Sequence, residues 1–348
     1  MQFLRNTWYA AVWSEGIGEG QLVDRTILGE PLLFFRTPGG GISAIRDLCP
    51  HKLVPLHLGK LLPNGRVQCG YHGLEFDGTG ACVRNPHGSE RIPSACKVPA
   101  YPVVEKHSMV WVWMGDAPAD PATVPDYAFM DAGSGFEITK RDFIRVKANY
   151  RLLFDNLMDL SHSPFLHDGV IGGADTVKAD IQVESSERTV KVHRPKFDVR
   201  PTGLLDRLYR NDGKNVDIWS TIAWTAPCYV LNDTGAYPPG GARAEGAGIL
   251  GAHLITPETE NTTLYHFSAA RTGQVLDPQE DAAALRDWIS DARHHAFAHQ
   301  DEPMIESQRV VREKFPHLAL KPVLLEIDAG PVRCNRILDG LIQQEQDR

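Results

Sequence analysis

The sequence predicts an α+β chain in two parts: an all-β N-terminal domain over residues 1–116, then an α+β domain over 117–348 with an antiparallel sheet and flanking helices. Three observations predict it. Apolar and polar residues alternate with period two through RTILGEPLLFFR, ISAIRDL and VWVWMGD, with glycine-rich segments between them. A Pro-, Ala- and Asp-rich stretch, GDAPADPATVPDY, then interrupts the pattern as a linker would. Beyond it the spacing is helical, then strand-like, then helical again.

Taken in order, residues 25–48 form strand runs around a turn at Gly39–Gly41, and 110–116 close the first domain. NYRLLFDNLMDLSH (149–162) sets Leu153, Leu157 and Leu160 at helical spacing, and Ser163–Pro164 is expected to end that helix. RTVKVHR, DIWSTIAW and CYVLN follow as strands. AHLITPETENTTLYHFSAAR reads as a hairpin turning at Pro257–Asn261. From Pro278 to about Val311, Leu285, Trp288, Ile289, Ala292 and Ala296 form one apolar helix stripe. There is no internal repeat and no low-complexity tract.

Composition excludes several functions. At 348 residues and 42% hydrophobic, the chain can bury two cores and is not globally disordered. Its net charge of −8, from 36 basic and 44 acidic residues without a basic run, disfavours nucleic-acid binding. MQFLRNTWYAAVW lacks the apolar core and cleavage site of a signal peptide, and no segment nears 18 uninterrupted apolar residues, so no membrane span is expected. Six cysteines in this length are not a disulfide scaffold, which points to a reducing cytoplasm.

CPHKLVPLHLGKLLPNGRVQCGYHG (49–73) carries metal-ligand types in two short pairs, Cys49 with His51 and Cys69 with His72. Structural zinc usually takes two cysteines from one loop and two histidines from another. Here each loop offers one of each, which suits a binuclear cluster that both loops span. In a Rieske [2Fe–2S] centre two cysteines hold one iron and two histidines the other. Pro50 stiffens the first loop, Gly70 and Gly73 let backbone approach the sulfurs, and the Tyr71 hydroxyl is expected to reach a ligand sulfur. A zinc site or metal-free loops remain the alternatives. His57 and His87 read as ordinary loop histidines.

A second cluster of polar residues lies in NLMDLSHSPFLHDG (156–169). Asn156, Asp159 and His162 are three apart on the expected helix face, and His167 follows the break at Pro164. Two histidines plus a carboxylate make the facial triad of non-haem Fe(II) oxygenases. A solvated helix face is the plain alternative. The two sites explain each other, since a high-potential cluster needs an electron acceptor.

On these motifs, with RNTWYAAVW, CGYHGLEFDG, VVEKHSMVWVWMGD and LITPETE, nearly the whole chain resembles the oxygenase components of the Rieske non-haem iron oxygenases. It is most similar to the subgroup of vanillate and dicamba O-demethylases. The resemblance implies that Cys49, His51, Cys69 and His72 hold a [2Fe–2S] cluster, and that His162, His167 and Asp301 hold Fe(II). The residues alone do not choose Asp301 over Glu302 or Glu306, and Pro303, inside a helical pattern, is expected to kink the chain there. Lys52 stands where the family commonly has arginine.

The resemblance also makes Asp159 the bridge between a cluster histidine of one subunit and an iron histidine of the next in a homotrimer. Asp159 lies one turn before His162, placed to accept its imidazole N–H. Asn156 joins it as a catalytic candidate. Asn232, His253 and Trp288 match substrate-holding positions: two hydrogen-bonding side chains and an apolar wall with an indole N–H. The implied activity is NAD(P)H- and O₂-dependent O-demethylation of a methoxylated aromatic acid to a phenol and formaldehyde. A separate reductase or ferredoxin is implied as partner, since the chain has no Gly-rich dinucleotide fingerprint. Aromatic hydroxylation or N-demethylation at the same irons, a Rieske electron carrier and a zinc-stabilised binding module are the rival readings.

Overall fold

The computed structural model of the chain describes residues 3–167, 170–173, 180–273, 277 and 280–347. Apart from its first two residues the chain forms two compact units: Phe3–Asp126 with Thr256–Glu260, and Tyr127–Ile255 with Asn261–Arg348.

The first unit is all-β. Strands β1 (Thr7–Trp13), β2 (Val23–Ile27), β3 (Glu30–Arg36), β4 (Ile42–Arg46), β5 (Lys60–Leu61), β6 (Val67–Gln68), β7 (Glu75–Phe76), β8 (Cys82–Arg84), β9 (Ala100–Tyr101), β10 (Val103–Lys106) and β11 (Met109–Met114) build it. They lie in three sheets, ordered β1-β11-β10, β2-β3-β4-β9 and β5-β6-β7-β8. The run MVWVWM of β11 is buried throughout, as a central strand covered on both faces must be. β2 and β3 close on a two-residue turn, Leu28–Gly29, with φ of 54° and 79°, the left-handed pair that a tight hairpin requires. The stretch expected as linker is packed. Trp113 Nε1 donates to the Ala117 carbonyl and Trp8 Nε1 to that of Asp120, both at 2.9 Å, so the first unit runs to Asp126, past the expected boundary at 116.

The second unit is α+β. Strands β12 (Glu137–Ile138), β13 (Asp142–Val146), β14 (Gln182–Ser185), β15 (Thr189–His193), β16 (Lys196–Val199), β17 (Val216–Thr225), β18 (Tyr229–Tyr237), β19 (Ala247–Pro257) and β20 (Thr263–Gly273) form one antiparallel sheet. Its order is β12-β20-β19-β18-β17-β15-β14, with β13 beside β20 and β16 beside β17. Register decides what meets on its faces. Ile222 lies opposite Asn232 and Asn232 opposite Gly251; Ser220 lies opposite Thr234 and Lys196 opposite Ile218. The Arg194 N–H donates to the Ser220 carbonyl at 2.9 Å. Opposed residues, and those two apart along a strand, share a face. Arg194, Lys196, Ser220, Asn232, Thr234, Gly251 and His253 therefore all lie on one side of the sheet.

The helices are α1 (Tyr150–Met158), α2 (Ser163–Leu166), α3 (Gly203–Tyr209), α4 (Ala282–His295), α5 (Glu302–Lys314) and α6 (Ala329–Gln346). Leu204, Leu205 and Leu208 of α3 and Leu285 and Ile289 of α4 pack with Ile218, Ala236 and Ile249 into one core. Two helical expectations change. The helix expected to reach His162 stops at Met158, because Asp159 turns extended (φ −118°, ψ 99°) and its carboxylate caps a 3₁₀ turn, Leu160–His162, by accepting the Ser161 N–H at 2.8 Å. Pro164 then sits in the first turn of α2, where its missing N–H is not needed, and does not end a helix. The long pattern from Pro278, which lies outside the described residues with Asp168 and Gly169, is broken by a π-helical turn at Ala296–Asp301 between α4 and α5. Pro303 again falls in a first turn, so the wide turn and not the proline redirects the chain.

Candidate active site

The two ligand loops of the first unit are built alike. The Cys49 N–H donates to the Val54 carbonyl and the Leu53 N–H returns to that of Cys49. In the second loop the Cys69 N–H donates to Leu74 and the Gly73 N–H returns to Cys69. Each loop thus closes five residues after its cysteine, with a left-handed residue one before closure: Leu53 at φ 59° and Gly73 at φ 72°. The cysteines are buried in the core with Leu33, Phe35 and Phe76, while the His51 and His72 rings stand 4.5 Å apart between centroids toward solvent. Burial, with the Cys69 thiol adjoining, pushes Cys49 up to about 11, so metal binding there must displace protons.

The four loop donors suit a cluster better than a single zinc. Among the described residues, the set of three or more donors drawn within 4.8 Å of one another is His162, His167 and Asp301, and it includes none of the loop ligands. One tetrahedral zinc would gather all four loop donors around a point. Two sulfurs inside and two imidazoles outside suit a two-iron cluster. Tyr71 departs from expectation: it is 63% exposed, its ring lies against His72 at 3.9 Å, and its hydroxyl bonds no cysteine sulfur. His87 Nε2 contacts the His72 carbonyl at 2.7 Å, and His57 pairs with Asp47.

In the second unit, Asp301 Oδ1 lies 3.5 Å from His162 Nε2 and 3.3 Å from His167 Nε2. Bonds of about 2.1 Å at right angles set donor atoms about 3 Å apart, so each histidine–carboxylate spacing is close to what two adjacent ligands of one ion require. Each of these three side chains is held from behind. His162 Nδ1 bonds the Asp159 carbonyl at 2.6 Å, His167 Nδ1 bonds Gln300 Oε1 at 2.8 Å, and Asn156 Nδ2 donates to Asp301 Oδ1 at 3.0 Å. Both imidazoles bond acceptors through Nδ1, which leaves the Nε2 lone pairs turned inward. Burial holds His162 below its usual value, in the neutral form that binds metal; against the same burial, Asp301 lifts its nearer partner His167.

Asp159 was expected to accept the His162 imidazole through its carboxylate; its backbone oxygen does so instead, because the carboxylate is engaged by the Ser161 N–H and hydroxyl. Gln300 was not anticipated. Its only sequence signal is adjacency to Asp301.

His162 lines one concavity, and its sequence neighbours Leu160 and Ser163 line another. One is a broad groove of about 1000 Å³ lined by Asn156, Asp159 and His162, with exposed Phe165, Met304, Val323 and Leu324 around it. The other is a small cavity of about 80 Å³ flanked by Leu160 and Ser163, with Arg194, Lys196, Ser220, Asn232 and Thr234 on its sheet wall. Of the three expected substrate residues, only Asn232 lines this cavity. His253 is buried and bonds the Tyr265 hydroxyl through Nδ1 at 2.6 Å; burial, then the charge of Arg293, keeps it well below its usual value and neutral. Trp288 packs on the α3–α4 core with the Arg207 guanidinium 4.6 Å from its ring centre. Gly251 separates Asn232 from this layer: a Cβ there would stand 3.0 Å from Arg293 Nη1 and 3.2 Å from His253 Nε2.

Comparison with known proteins gives the family. The Rieske [2Fe-2S] domain family matches residues 7–102, and the vanillate O-demethylase oxygenase C-terminal domain family matches 146–344. The chain is 35% identical to the dicamba O-demethylase oxygenase component of Stenotrophomonas maltophilia, covering 99% of both. It is 33% identical to the iron-sulfur subunit of the toluene-4-sulfonate monooxygenase system of Comamonas testosteroni, over 99% of this chain and 98% of that one. A crystal structure of dicamba monooxygenase bound to 3,6-dichlorosalicylic acid superposes with a TM-score of 0.90 at 32% identity, all of both chains being covered. Another, containing non-haem iron and dicamba, gives 0.82 over the same span. The chain thus belongs to the Rieske non-haem iron oxygenases, as an oxygenase component whose cofactors are a [2Fe–2S] cluster and Fe(II).

Proposed function

We propose that this oxygenase demethylates a methoxylated aromatic acid: aryl methyl ether, O₂, NAD(P)H and a proton give phenol, formaldehyde, water and NAD(P)⁺. In this reading Cys49, His51, Cys69 and His72 hold the cluster, and His162, His167 and Asp301 hold the mononuclear iron. When bound, the metals supply electron storage and O₂ activation. The protein's part is positioning. Asn156 steadies the Asp301 carboxylate, while Gln300 and the Asp159 carbonyl fix the two imidazoles. Asn232 orients the substrate from the sheet, with His253 and Trp288 behind the wall as contacts once a ring enlarges the cavity. The hydroxylated methyl group then leaves as formaldehyde.

The observation that carries this reading is the small cavity lined by Leu160 and Ser163, the sequence neighbours of His162, polar on its sheet wall and apolar at Leu160, Ile171, Leu204 and Leu205. The kinship with a dicamba O-demethylase supports the reaction type. Electrons come from a separate NAD(P)H-dependent reductase or ferredoxin, in the cytoplasm. No helix among the described residues is long and apolar enough to cross a membrane. A homotrimer is proposed because the large groove offers Asp159 beside exposed apolar side chains, a surface suited to a second copy. Iron-loaded protein with a surrogate reductase should release formaldehyde in step with NADH oxidised on a panel of methoxybenzoates. Ring-hydroxylated products without formaldehyde would overturn the reaction assigned.

A further inference from the structure

Resting on the aromatic-acid reading above, we infer that Arg293 of α4 anchors the acid group of the substrate, a carboxylate or sulfonate, over Gly251 on the sheet. The side chain is 5% exposed. Among the described residues its hydrogen bonds come to one, a long bond from Nη2 to the Ser268 carbonyl at 3.4 Å, and Nε has no partner. It forms no ion pair among the described residues. Asp142 acts on it through space, but that carboxylate is bonded by His294 Nδ1 at 2.7 Å and by the Phe143 N–H at 2.8 Å. A guanidinium withdrawn from water with its donors unmatched is costly until an anion completes it.

Register and a missing side chain place the guanidinium among the expected substrate residues. Gly251 lies opposite Asn232, and His253, two residues on, shares that face. With a Cβ on Gly251 only 3.0 Å from Arg293 Nη1, the bare backbone is what lets the guanidinium reach the sheet. Opposed side chains start about 4.5–5.5 Å apart, which brings Asn232 Cβ within roughly 9 Å of Nη1. Asn232 Oδ1 is likewise buried with no hydrogen-bond partner among the described residues, so unmet polar groups flank Gly251 on two sides. The guanidinium also lies 5.1 Å from the centre of the Phe297 ring. Phe297 belongs to the π-helical turn that carries Asp301, and Phe297, Tyr265 and Asp301 line one small void. Phe297 thus supports the guanidinium and adjoins the proposed iron site.

The charge here is a fixed one. Burial draws Arg293 down to about 10, while Tyr265 and then Asp142 act to raise it, so it stays a cation at neutral pH. His253 beside it is neutral, its Nδ1 bonded to the Tyr265 hydroxyl, and adds no second charge. Planar N–H donors match a carboxylate or sulfonate, and such bonds are stronger in a site kept from water. An acid held over Gly251 fixes one end of the ring and leaves the opposite substituent to face the proposed iron.

Binding can be read without turnover, by calorimetry on the anaerobic, iron-loaded protein lacking reductase. The probes are 4-methoxybenzoate, 4-methoxybenzenesulfonate and the neutral 4-methoxybenzamide. Wild type should bind at least one of the two anions about tenfold or more tighter than the amide. Arg293→Met should weaken that anion roughly tenfold to a hundredfold and the amide by less than about threefold, and Arg293→Lys should recover part of the loss. Gly251→Ala, which leaves the arginine in place but pushes its tip aside, should lower the anion-to-amide ratio by about tenfold. The anion that responds identifies the acid class. Equal losses for amide and anions, as a merely structural arginine would give, would overturn the anchor, and so would the absence of any anion preference in wild type. If Arg293→Met does not fold, judged by its cluster absorption, Arg293→Lys and Gly251→Ala decide by the same ratios. Formaldehyde release is scored separately. Arg293-dependent anion binding without formaldehyde from either anion defeats the demethylation reading alone, while formaldehyde released with equal kcat/KM from amide and anion defeats the anchor alone.

Discussion

The two metal sites are opposite kinds of construction. The proposed cluster ligands come from two loops of nearly identical design, twenty residues apart, with the cysteines buried and the histidines turned out. The proposed iron ligands come from a 3₁₀ turn, the end of a short helix and a π-helical turn 134 residues further along, counted from His167 to Asp301. His167 and Asp301 are each only 4% exposed. A site that must pass electrons to another surface can be a local motif with an exposed edge. A site that must hold a small organic ligand is assembled from the interior of a whole domain, and each donor depends on a different packing decision.

The largest expected effect breaks the comparison outright. His167→Ala or Asp301→Ala should remove the mononuclear iron and essentially all turnover while the visible spectrum of the cluster stays. Cys69→Ser should do the reverse to the spectrum. Iron analysis with absorption spectroscopy distinguishes them, and joint loss of both metals in either variant would show that the sites are not independent.

Next is the connection between the sites. Asp159→Asn keeps the backbone oxygen that bonds His162, so both metals should remain. Losing the carboxylate charge should slow reoxidation of the reduced cluster by substrate and O₂ by at least about tenfold, read in stopped flow. Unchanged reoxidation would remove Asp159 from the electron route.

A smaller effect tests the supports. Gln300→Ala and Asn156→Ala each free one ligand to rotate, so iron affinity should fall roughly tenfold to a hundredfold. Activity should return at higher Fe(II). The cluster loops, which hold themselves by backbone bonds, should show no change in cluster content in either variant.

The smallest effect concerns stability. Burial lifts Asp155 on α1 from 3.8 to about 7, although Asn335 donates to it at 2.7 Å. The folded chain therefore holds this proton more tightly than the unfolded chain does. Its favourable contribution is complete below about pH 4 and is lost as pH rises through about 7. Asp155→Asn should stabilise the protein at pH 8 by about 1–3 kcal/mol and flatten that part of the pH profile in urea titrations. Equal stability of both proteins at pH 8 would contradict the assignment.

Legibility in the sequence follows the same division. Cys49, His51, Cys69 and His72 stand out directly as candidates, because the residues of a loop-held site sit close together in the chain. The β-rich first unit and the α+β second unit were equally readable from periodicity. The end of α1 was misread, although Asp159 two residues before Ser161 is an ordinary capping pattern that offered the signal. Asp301 came only through family resemblance, since Glu302 and Glu306 carry the same chemistry nearby. Gln300 had no periodic mark at all. Arg194 and Lys196 were invisible for a different reason. Their meeting with Asn232 is a matter of cross-strand register, which no local pattern states.

The π-helical turn at Ala296–Asp301 has one further consequence. In a regular α-helix each residue advances the side-chain direction by about 100°, so an extra residue in one turn resets the phase of everything after it. Asp301 is thus specified by an offset, as a letter is by the frame in which it is read. Drawing the wide turn into a regular α-helix of the same length would advance Asp301 by about one residue's rotation and swing it away from His162 and His167 while leaving all three side chains in the chain. Helix content, secondary structure and composition would barely register the change, yet the three donors would no longer share an ion. A frame of this kind lets the surrounding sequence drift widely, provided that the wide turn is kept.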